Sequence, residues 1–293
     1  MPSRIGQVVS DRYVLAEMVG KGGHSVVYRA LDRQGGPNVA VKLLQDEFAA
    51  SEEYAVRLVR EHRVMNLLQG TAAVHVRGLA TSPDGAVCLV MELLRGSDLD
   101  DVLAKMEREG SRMTTSRLVE LLDPVVATLE KAHELGVIHR DLKPGNIYVL
   151  DSERHDDVRL IDFGLAKIKN ARPLTRDGMI MGSPSYIAPE VWKGDSSILD
   201  HRMDIYSFGA IVFRALGGRV PFDAPNIRDK VKLITSAPRP SLHALRDELP
   251  PAMDAWVEQV LAIDPDSRFR RIRAAWNALL DTLDFRFGGD HED

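Results

Sequence analysis

The spacing of apolar residues changes near residue 93, and this change constrains the fold more than any other feature of the chain. Before it, short apolar or alternating runs separated by turns predict β-strands, at 13–19, 25–31, 39–44, 74–81 and 87–92. One segment, 52–68, instead repeats its apolar residues at helical spacing and predicts a helix. The first part of the chain is therefore expected to form a sheet with one helix.

Beyond that point the apolar residues recur at helical spacing. The predicted helices span 98–109, 115–135, 203–216, 253–263 and 273–283. A chain of 293 residues also exceeds the usual size of one hydrophobic core, so two lobes that share a cleft are expected. We predict an α+β, bilobal fold with four parts: an N-terminal tail at 1–11, a small β-rich N-lobe at 12–93, a larger, mainly helical C-lobe at 94–285 and a C-terminal tail at 286–293.

Composition and charge exclude several classes of protein. The chain has 44% hydrophobic and 28% charged residues, as ordinary globular proteins do. Its net charge of -5 argues against nucleic-acid binding, which needs a basic surface. No window holds the long apolar run of a membrane span. The single cysteine, Cys88, fits a reducing compartment, so we expect a cytoplasmic protein; the sequence leaves its oligomeric state open.

Residues 139–146, His-Arg-Asp-Leu-Lys-Pro-Gly-Asn, bring together the groups that phosphoryl transfer requires. Asp141 is the candidate catalytic base, which would accept or orient the proton of an attacking hydroxyl. Lys143 would neutralise charge on the transferred phosphoryl group. Asn146 and Asp162, which opens the sequence Asp-Phe-Gly, are candidate ligands for Mg²⁺ because that ion prefers carboxylate, amide and phosphate oxygens; Mn²⁺ is also possible.

An ordinary polar turn is the alternative interpretation of this loop. Aspartate, proline, glycine and asparagine are the usual turn-forming residues. A turn does not explain why a histidine, an arginine and a lysine stand among them.

A glycine-rich segment lies between two predicted strands and is a candidate phosphate-binding loop. It contains Gly20, Lys21, Gly22 and Gly23 and ends at Ser25, so the third glycine of a Gly-x-Gly-x-x-Gly pattern is missing. Glycines let the backbone approach a triphosphate closely, with amide hydrogens facing its oxygens. A simple hairpin turn is the alternative. A dinucleotide fold and a P-loop are disfavoured, because β-branched residues rather than a helix follow and no Gly-Lys-Ser/Thr closes the segment.

Lys42 lies in a strand that is otherwise apolar, and Glu61 lies in the predicted helix that follows. A buried ammonium is costly unless an anion meets it. A Lys42–Glu61 pair would hold the lysine against the α- and β-phosphates of a nucleotide. Alternatively, Lys42 extends its amine to solvent at a strand end and Glu61 is one solvated charge among many.

Taken in order, these motifs resemble those of the eukaryotic-type serine/threonine protein kinases, and they are most similar in form to the bacterial members of that family. The likeness runs from about Tyr13 to about Leu283, and Lys143-Pro144 resembles the serine/threonine branch rather than the tyrosine branch. It rests on the order and spacing of several motifs: the glycine loop at 20–25, Ala40-Val41-Lys42, Glu61, 139–146, 162–164, Gly-Ser-Pro-Ser-Tyr-Ile-Ala-Pro-Glu at 182–190, Asp-Ile-Tyr-Ser-Phe-Gly at 204–209, and Arg268.

The resemblance implies a nucleotide pocket and a structural frame. Adenine would contact Val27 and Ala40 from above and backbone groups of Glu92 to Leu94, and Met91 would close the back of the pocket. The frame would include a stack of Met65, His139 and Phe163 anchored by Asp204, and a buried pair of Glu190 and Arg268. Tyr148 stands under adenine, where the family usually has an aliphatic residue.

The function that the resemblance implies is ATP-dependent phosphorylation of serine and threonine side chains in protein substrates. A pseudokinase that binds partners without phosphotransfer is the alternative, although Lys42, Asp141, Asn146 and Asp162 are all present. A small-molecule phosphotransferase is a third candidate, but such proteins usually lack a peptide platform like 182–190.

The resemblance also implies regulation by autophosphorylation between residues 162 and 190. A phosphate there would pair with Arg140, which precedes the candidate base. Thr175 is the first candidate acceptor, and Ser185 is another. Ser183 is also a candidate, although its hydroxyl is expected to reach Asp141 and Lys143 instead. Alternatively, these hydroxyls only satisfy loop backbone groups.

Overall fold

The structure is a computed structural model that describes residues 4–49, 51–151, 158–163, 183–194 and 199–285. Its first part is a six-stranded antiparallel sheet in the order β1-β2-β3-β4-β6-β5. The strands are β1 (Val8–Val9), β2 (Tyr13–Lys21), β3 (Ser25–Asp32), β4 (Val39–Leu44), β5 (Val76–Thr81) and β6 (Val87–Glu92). The short helix α1 (Asp46–Ala49) and the longer helix α2 (Glu52–Leu67) lie in the chain between β4 and β5.

Alternation of apolar residues explains why β3 buries the side chains of one face. In β3 the side chains of Val26, Tyr28 and Ala30 are buried, with less buried residues between them, as expected for a strand that covers a core on one side. Helix α2 packs by a separate stripe that includes Leu58 and Met65, whose spacing places both on one helical face.

The second part of the structure is mainly helical, with a small three-stranded sheet. That sheet has the order β7-β8-β9 and consists of β7 (Gly96–Asp98), β8 (Ile147–Leu150) and β9 (Val158–Leu160). The helices are α3 (Leu99–Arg108), α4 (Thr115–Glu134), α5 (Pro189–Lys193), α6 (Arg202–Gly217), α7 (Ile227–Ser236), α8 (Met253–Val260) and α9 (Ile272–Thr282). Nearly every residue of α6 is buried, so this helix lies at the centre of the helical lobe.

Most of the predicted elements are present, and several short ones were not predicted. The strands at Val39–Leu44 and Val87–Glu92 agree with the prediction at both ends. The patterns described in the sequence did not indicate β1, α1, β7, β8, β9, α5 or α7. None of the helices in the described parts of the chain combines the length and apolar character needed to cross a membrane.

The prediction of an N-terminal tail at 1–11 is wrong for the described residues 4–11. Val8 and Val9 pair with Val14 and Tyr13 of β2, and the Val9 side chain is fully buried. Arg4 forms ion pairs with Asp46 and Asp84. This segment is therefore part of the sheet lobe. The lobe boundary between residues 93 and 94 stays a prediction.

The segment before β5 connects the two lobes. The amide of Val74 donates to the carbonyl of Leu160, and the amide of Leu160 donates to the carbonyl of Ala72, at 3.0 and 2.7 Å. The Thr128 hydroxyl of α4 accepts from the amide of Ala72 at 3.0 Å. These bonds place the end of β9, and hence Asp162, directly beneath the sheet lobe.

A buried ion pair joins the end of the described platform segment to the base of the helical lobe. The Glu190 carboxylate accepts two parallel hydrogen bonds from the Arg268 guanidinium, at 2.8 and 2.7 Å, and both side chains are almost fully buried. Arg268 also donates to the carbonyls of Ala262 and Arg202. The expected Glu190–Arg268 contact is present.

We expect the Arg268→Met substitution to destabilise the fold by about 3–5 kcal/mol, because it leaves the Glu190 carboxylate buried without a partner. The free energy of unfolding in urea measures the effect. Arg29→Met is the matched control, since Arg29 pairs with Glu17 at 3.0 Å on the surface and should lose less than about 1 kcal/mol. Equal losses in the two variants would contradict this expectation.

Candidate active site

The loop at 139–146 is held by a buried carboxylate from the central helix α6. Asp204 accepts hydrogen bonds from the backbone amides of His139 and Arg140, at 2.8 and 2.9 Å, and contacts Nε2 of His133 at 2.8 Å. Burial alone would raise the pKa of Asp204, but these hydrogen bonds and the neighbouring histidines outweigh it and lower that pKa. Asp204 therefore fixes the start of the loop, as its expected anchoring role requires.

Backbone strain at Arg140 shows what that anchor stabilises. Arg140 has φ of 66°, in the left-handed region that side-chain-bearing residues seldom adopt. The Asp204 hydrogen bond to the Arg140 amide holds this conformation. The turn sends the chain from His139, which is fully buried, towards Asp141 in the cleft.

Three side chains of this loop converge on one another. Nζ of Lys143 lies 2.9 Å from Oδ2 of Asp141. Asn146 donates from Nδ2 to the Asp141 backbone carbonyl at 2.7 Å and to its Oδ2 at 3.3 Å. The candidate base, cation and amide ligand thus lie within a few ångströms, and their individual catalytic roles stay predictions.

Lys42 connects the sheet lobe, helix α2 and the start of the Asp-Phe-Gly sequence. Its Nζ lies 2.7 Å from Oε1 of Glu61 and 2.6 Å from Oδ1 of Asp162. Burial alone would lower the pKa of Lys42, but the Asp162 and Glu61 carboxylates outweigh burial and raise it. The lysine is therefore charged at neutral pH, and the alternative of a solvated Lys42 and Glu61 is wrong.

Asp162, a predicted metal ligand, is held in its charged form by its surroundings. Its φ of 56° is again left-handed. Burial would raise the pKa of Asp162, but the neighbouring Lys42 ammonium lowers it below its ordinary value, so the group is a carboxylate at neutral pH. Asn146 uses Nδ2 on the Asp141 residue, and its Oδ1 makes no hydrogen bond to the described part of the chain. One carboxylate and one amide oxygen fit a Mg²⁺ ion that takes its other ligands from phosphates and water.

The predicted adenine contacts lie on one face of the large sheet. In the strand register Val27 is opposite Lys42, and Ala40 is opposite Met91. Directly opposite residues share a face, as do residues two apart in one strand. Val27, Ala40, Lys42 and Met91 therefore line the same face, and the Lys42 contact with Asp162 shows that this face is directed at the helical lobe.

The connection between the lobes is ordered by Glu92 at the end of β6. Its carboxylate accepts from the backbone amide of His75 at 2.7 Å and from Nε of Arg159 at 3.1 Å. Leu94 is half-buried and packs on the core of the helical lobe. The backbone of 92–94 thus crosses between the lobes in a fixed geometry, where adenine contacts are predicted.

Tyr148 lies in β8, and its hydroxyl donates to the carbonyl of Gly96 at 2.8 Å. Gly96 has φ of 141°, and a Cβ there would lie 2.0 Å from the carbonyl oxygen of Val149, so only glycine fits. The hydroxyl of Tyr148 is therefore paired with the strand that follows the interlobe connection. Its predicted position beneath adenine stays a prediction.

The stack that the sequence analysis expected is present at its lower end. The rings of His139 and Phe163 have centroids 4.6 Å apart, and Met65 of α2 is buried in the same apolar cluster as Phe163. The His139–Phe163 contact joins the loop that carries Asp141 to the residue after Asp162, and the contact with Met65 of α2 stays a prediction.

Of the three candidate phosphorylation sites, one lies outside the described residues and two lie within them. Thr175 lies outside the described residues. Ser183 is exposed, and a hydrogen bond from its hydroxyl to Asp141 or Lys143 is not present among the described residues. Ser185 is buried, with its hydroxyl 3.4 Å from Nζ of Lys230.

Arg214 of α6 is a site residue that the sequence analysis missed. Its guanidinium binds Glu107 in two hydrogen bonds, at 2.7 and 3.1 Å, and also Asp100 of α3. It donates to the Tyr186 hydroxyl at 3.0 Å, which connects α6 to the described segment 183–190. Only its charge within an apolar helix could have indicated this role from sequence.

The arrangement defines the class of protein. A β-rich lobe with one long helix and a helical lobe share a lysine–carboxylate cluster, as in bilobal kinases. The protein kinase domain family matches residues 13–278, and the chain belongs to that family. Members of this family generally use ATP and a divalent metal.

Two bacterial proteins illustrate the relationship. Serine/threonine-protein kinase PknA of Mycobacterium tuberculosis (strain ATCC 25618 / H37Rv) is 35% identical over 275 residues, which cover 92% of this chain and 61% of PknA. Serine/threonine-protein kinase pkn3 of Myxococcus xanthus is 32% identical over 271 residues, 90% of this chain and 48% of that protein. The chain thus spans less than two thirds of the length of each.

The solved kinase domain of M. tuberculosis PknI has the same fold. It superposes with a TM-score of 0.71 at 23% identity, over 96% of this chain and 99% of that chain. The predicted bilobal α+β fold and the predicted family are therefore confirmed.

We expect the Asp204→Ala substitution to destabilise the fold by about 2–6 kcal/mol, because two buried backbone amides lose their acceptor and each such loss costs about 1–3 kcal/mol. Urea unfolding measures it. Asp204→Asn keeps one acceptor oxygen and should lose less. Identical losses for alanine and asparagine would show that the hydrogen bonds to His139 and Arg140 are not what matters.

Proposed function

We propose that this domain transfers the γ-phosphoryl group of ATP to serine and threonine side chains of protein substrates. The observation that carries the proposal is the Lys42 ammonium held between Glu61 and Asp162, above a loop in which Lys143 meets Asp141. This cluster supports the proposal because phosphoryl transfer needs positive charge next to the phosphates and a carboxylate next to the attacking alcohol.

In the proposed reaction the protein mainly positions charged groups around an in-line transfer. Lys42 binds the α- and β-phosphates. Asp141 orients the attacking hydroxyl and accepts its proton. Lys143, 2.9 Å from Asp141, stabilises the charge that accumulates on the transferred group. The attacking oxygen gains the phosphoryl group as the bond to the β-phosphate oxygen breaks.

The proposed metal is Mg²⁺, held by Asn146 and Asp162 together with phosphate oxygens, and Mn²⁺ has the same ligand preference. When bound, the ion supplies neutralisation of the phosphate charge. Protein substrates with serine or threonine acceptors and a cytoplasmic location belong to the same proposal.

Regulation by a phosphate in the 162–190 segment is part of the proposal. The Arg140 Nε is buried and has no hydrogen-bond partner in the described structure, and burial lowers the pKa of this guanidinium. A phosphate would supply the missing acceptor and an opposite charge. Thr175 stays the first candidate, followed by Ser183; Ser185 would have to leave its buried position.

We expect Asp141→Asn to lower the rate of peptide phosphorylation by about 10²- to 10⁴-fold, since this is the usual contribution of a positioned base. A radiolabelled-ATP assay measures the rate, and thermal melting checks the fold. Lys42→Met should lower it as well, by loss of the phosphate contact.

The exposed residue Asp247 supplies the matched control, Asp247→Asn, which should keep full activity. If the unaltered protein binds nucleotide but never transfers phosphate, the pseudokinase alternative is correct. Near-full activity of Asp141→Asn would contradict the assigned role.

Incubation with Mg·ATP is expected to place a phosphate between residues 162 and 190, with Thr175 as the principal site. Mass spectrometry of the digested protein identifies the modified peptide. The Asp141→Asn protein, incubated alone, should remain unmodified because it lacks the base. A wild-type protein that is active and carries no phosphate in this segment contradicts the proposed autophosphorylation.

A further inference from the structure

The turn between β2 and β3 is fastened to a neighbouring element by hydrogen bonds. Within the turn, the amide of Gly22 donates to the carbonyl of Ser25 at 2.8 Å. Gln45, which directly follows β4, donates from Nε2 to the Gly22 carbonyl at 2.7 Å and from its backbone amide to the His24 carbonyl at 2.9 Å. Gln45 is buried, and its two hydrogen bonds connect the more exposed turn to the end of β4.

An aromatic cluster fastens the same turn a second time. The His24 ring lies 4.8 Å from the Phe48 ring of α1 and 5.0 Å from the Tyr54 ring of α2, and the latter two are 4.7 Å apart. Each ring therefore contacts the other two at distances typical of favourable aromatic pairs. We call His24, Phe48 and Tyr54 the aromatic clip.

The Gln45 hydrogen bonds and the aromatic clip both connect the turn to the elements that carry the Lys42–Glu61 pair. Gln45 follows the strand that contains Lys42. Tyr54 and Glu61 lie on the same face of α2, about two helical turns apart. The position of the turn is thus coupled through rigid elements to the Lys42–Glu61 contact.

We infer that His24 is a positioning residue that holds the glycine-rich turn over the phosphates of the bound nucleotide. This inference rests on the proposed function, since it concerns the same nucleotide site. Glycines at 22 and 23 leave the turn flexible by themselves, and a flexible turn loses conformational entropy when it closes on a ligand. Because the aromatic clip and Gln45 already order the turn before the ligand binds, less conformational entropy is lost on binding, which is the general effect of preorganisation.

A role of the aromatic clip in phosphate binding and a role in stability alone predict different changes in ligand affinity. A merely structural clip would change the melting temperature and affect every ligand alike. A clip that positions the turn changes affinity only for ligands that carry phosphates, because adenosine does not reach beneath the turn.

The experiment compares the affinities of adenosine and Mg·ADP by calorimetry in the unaltered protein, His24→Ala and Tyr54→Leu. Because an aromatic pair contributes about 0.5–1.5 kcal/mol, we expect Mg·ADP to bind about 3- to 10-fold more weakly to each variant, with adenosine affinity unchanged. His24→Phe keeps the ring and should restore Mg·ADP binding. Asp247→Asn, at an exposed position outside the nucleotide site, should change neither affinity.

Combining His24→Ala with Tyr54→Leu adds a further test. The two losses should not add, since each substitution breaks the same contact. Unchanged Mg·ADP affinity in both single variants, or equal weakening of adenosine and Mg·ADP, overturns the inference while leaving the proposed function intact. Failure of the unaltered protein to bind Mg·ADP overturns both.

Discussion

The buried ammonium of Lys42 is the interaction on which the arrangement of the two lobes depends. It requires anions, and the two that contact it are Glu61 of helix α2 and Asp162, the second residue after β9. An isolated charge in such a place would cost several kcal/mol. The lysine therefore links a strand, a helix and a segment of the other lobe, and the cleft chemistry and the interlobe geometry have one common origin.

Two buried carboxylates hold segments of the helical lobe in place. Asp204 stands on the most buried helix, and its carboxylate holds a loop whose Arg140 backbone is strained. The Glu190–Arg268 pair fixes the end of the platform segment. Both Asp204 and Glu190 have hydrogen-bond partners on each carboxylate oxygen, which is the condition under which buried charges are tolerated. The site is thus held by side chains that do not themselves face the cleft.

The sequence allowed prediction of the groups whose chemistry is local. Asp141, Lys143 and Asn146 lie in one short run, so their convergence followed from their spacing. The role of Arg214 could not be predicted, because its partners Glu107 and Asp100 are separated from it by 107 and 114 residues. Strands such as β1 and β7 are too short to show a period, and the packing of 4–11 on the sheet depends on tertiary contacts that no local pattern encodes.

The hydrogen bonds among Ala72, Val74, Leu160 and Thr128 have a mechanical consequence. They lie beside β5, at one edge of the six-stranded sheet, whereas the β2–β3 hairpin lies towards the other edge. Opening of the cleft about these bonds would therefore move the hairpin farther than the bonded edge. In the proposed function, the phosphate end of the nucleotide site would then open more widely than the adenine end.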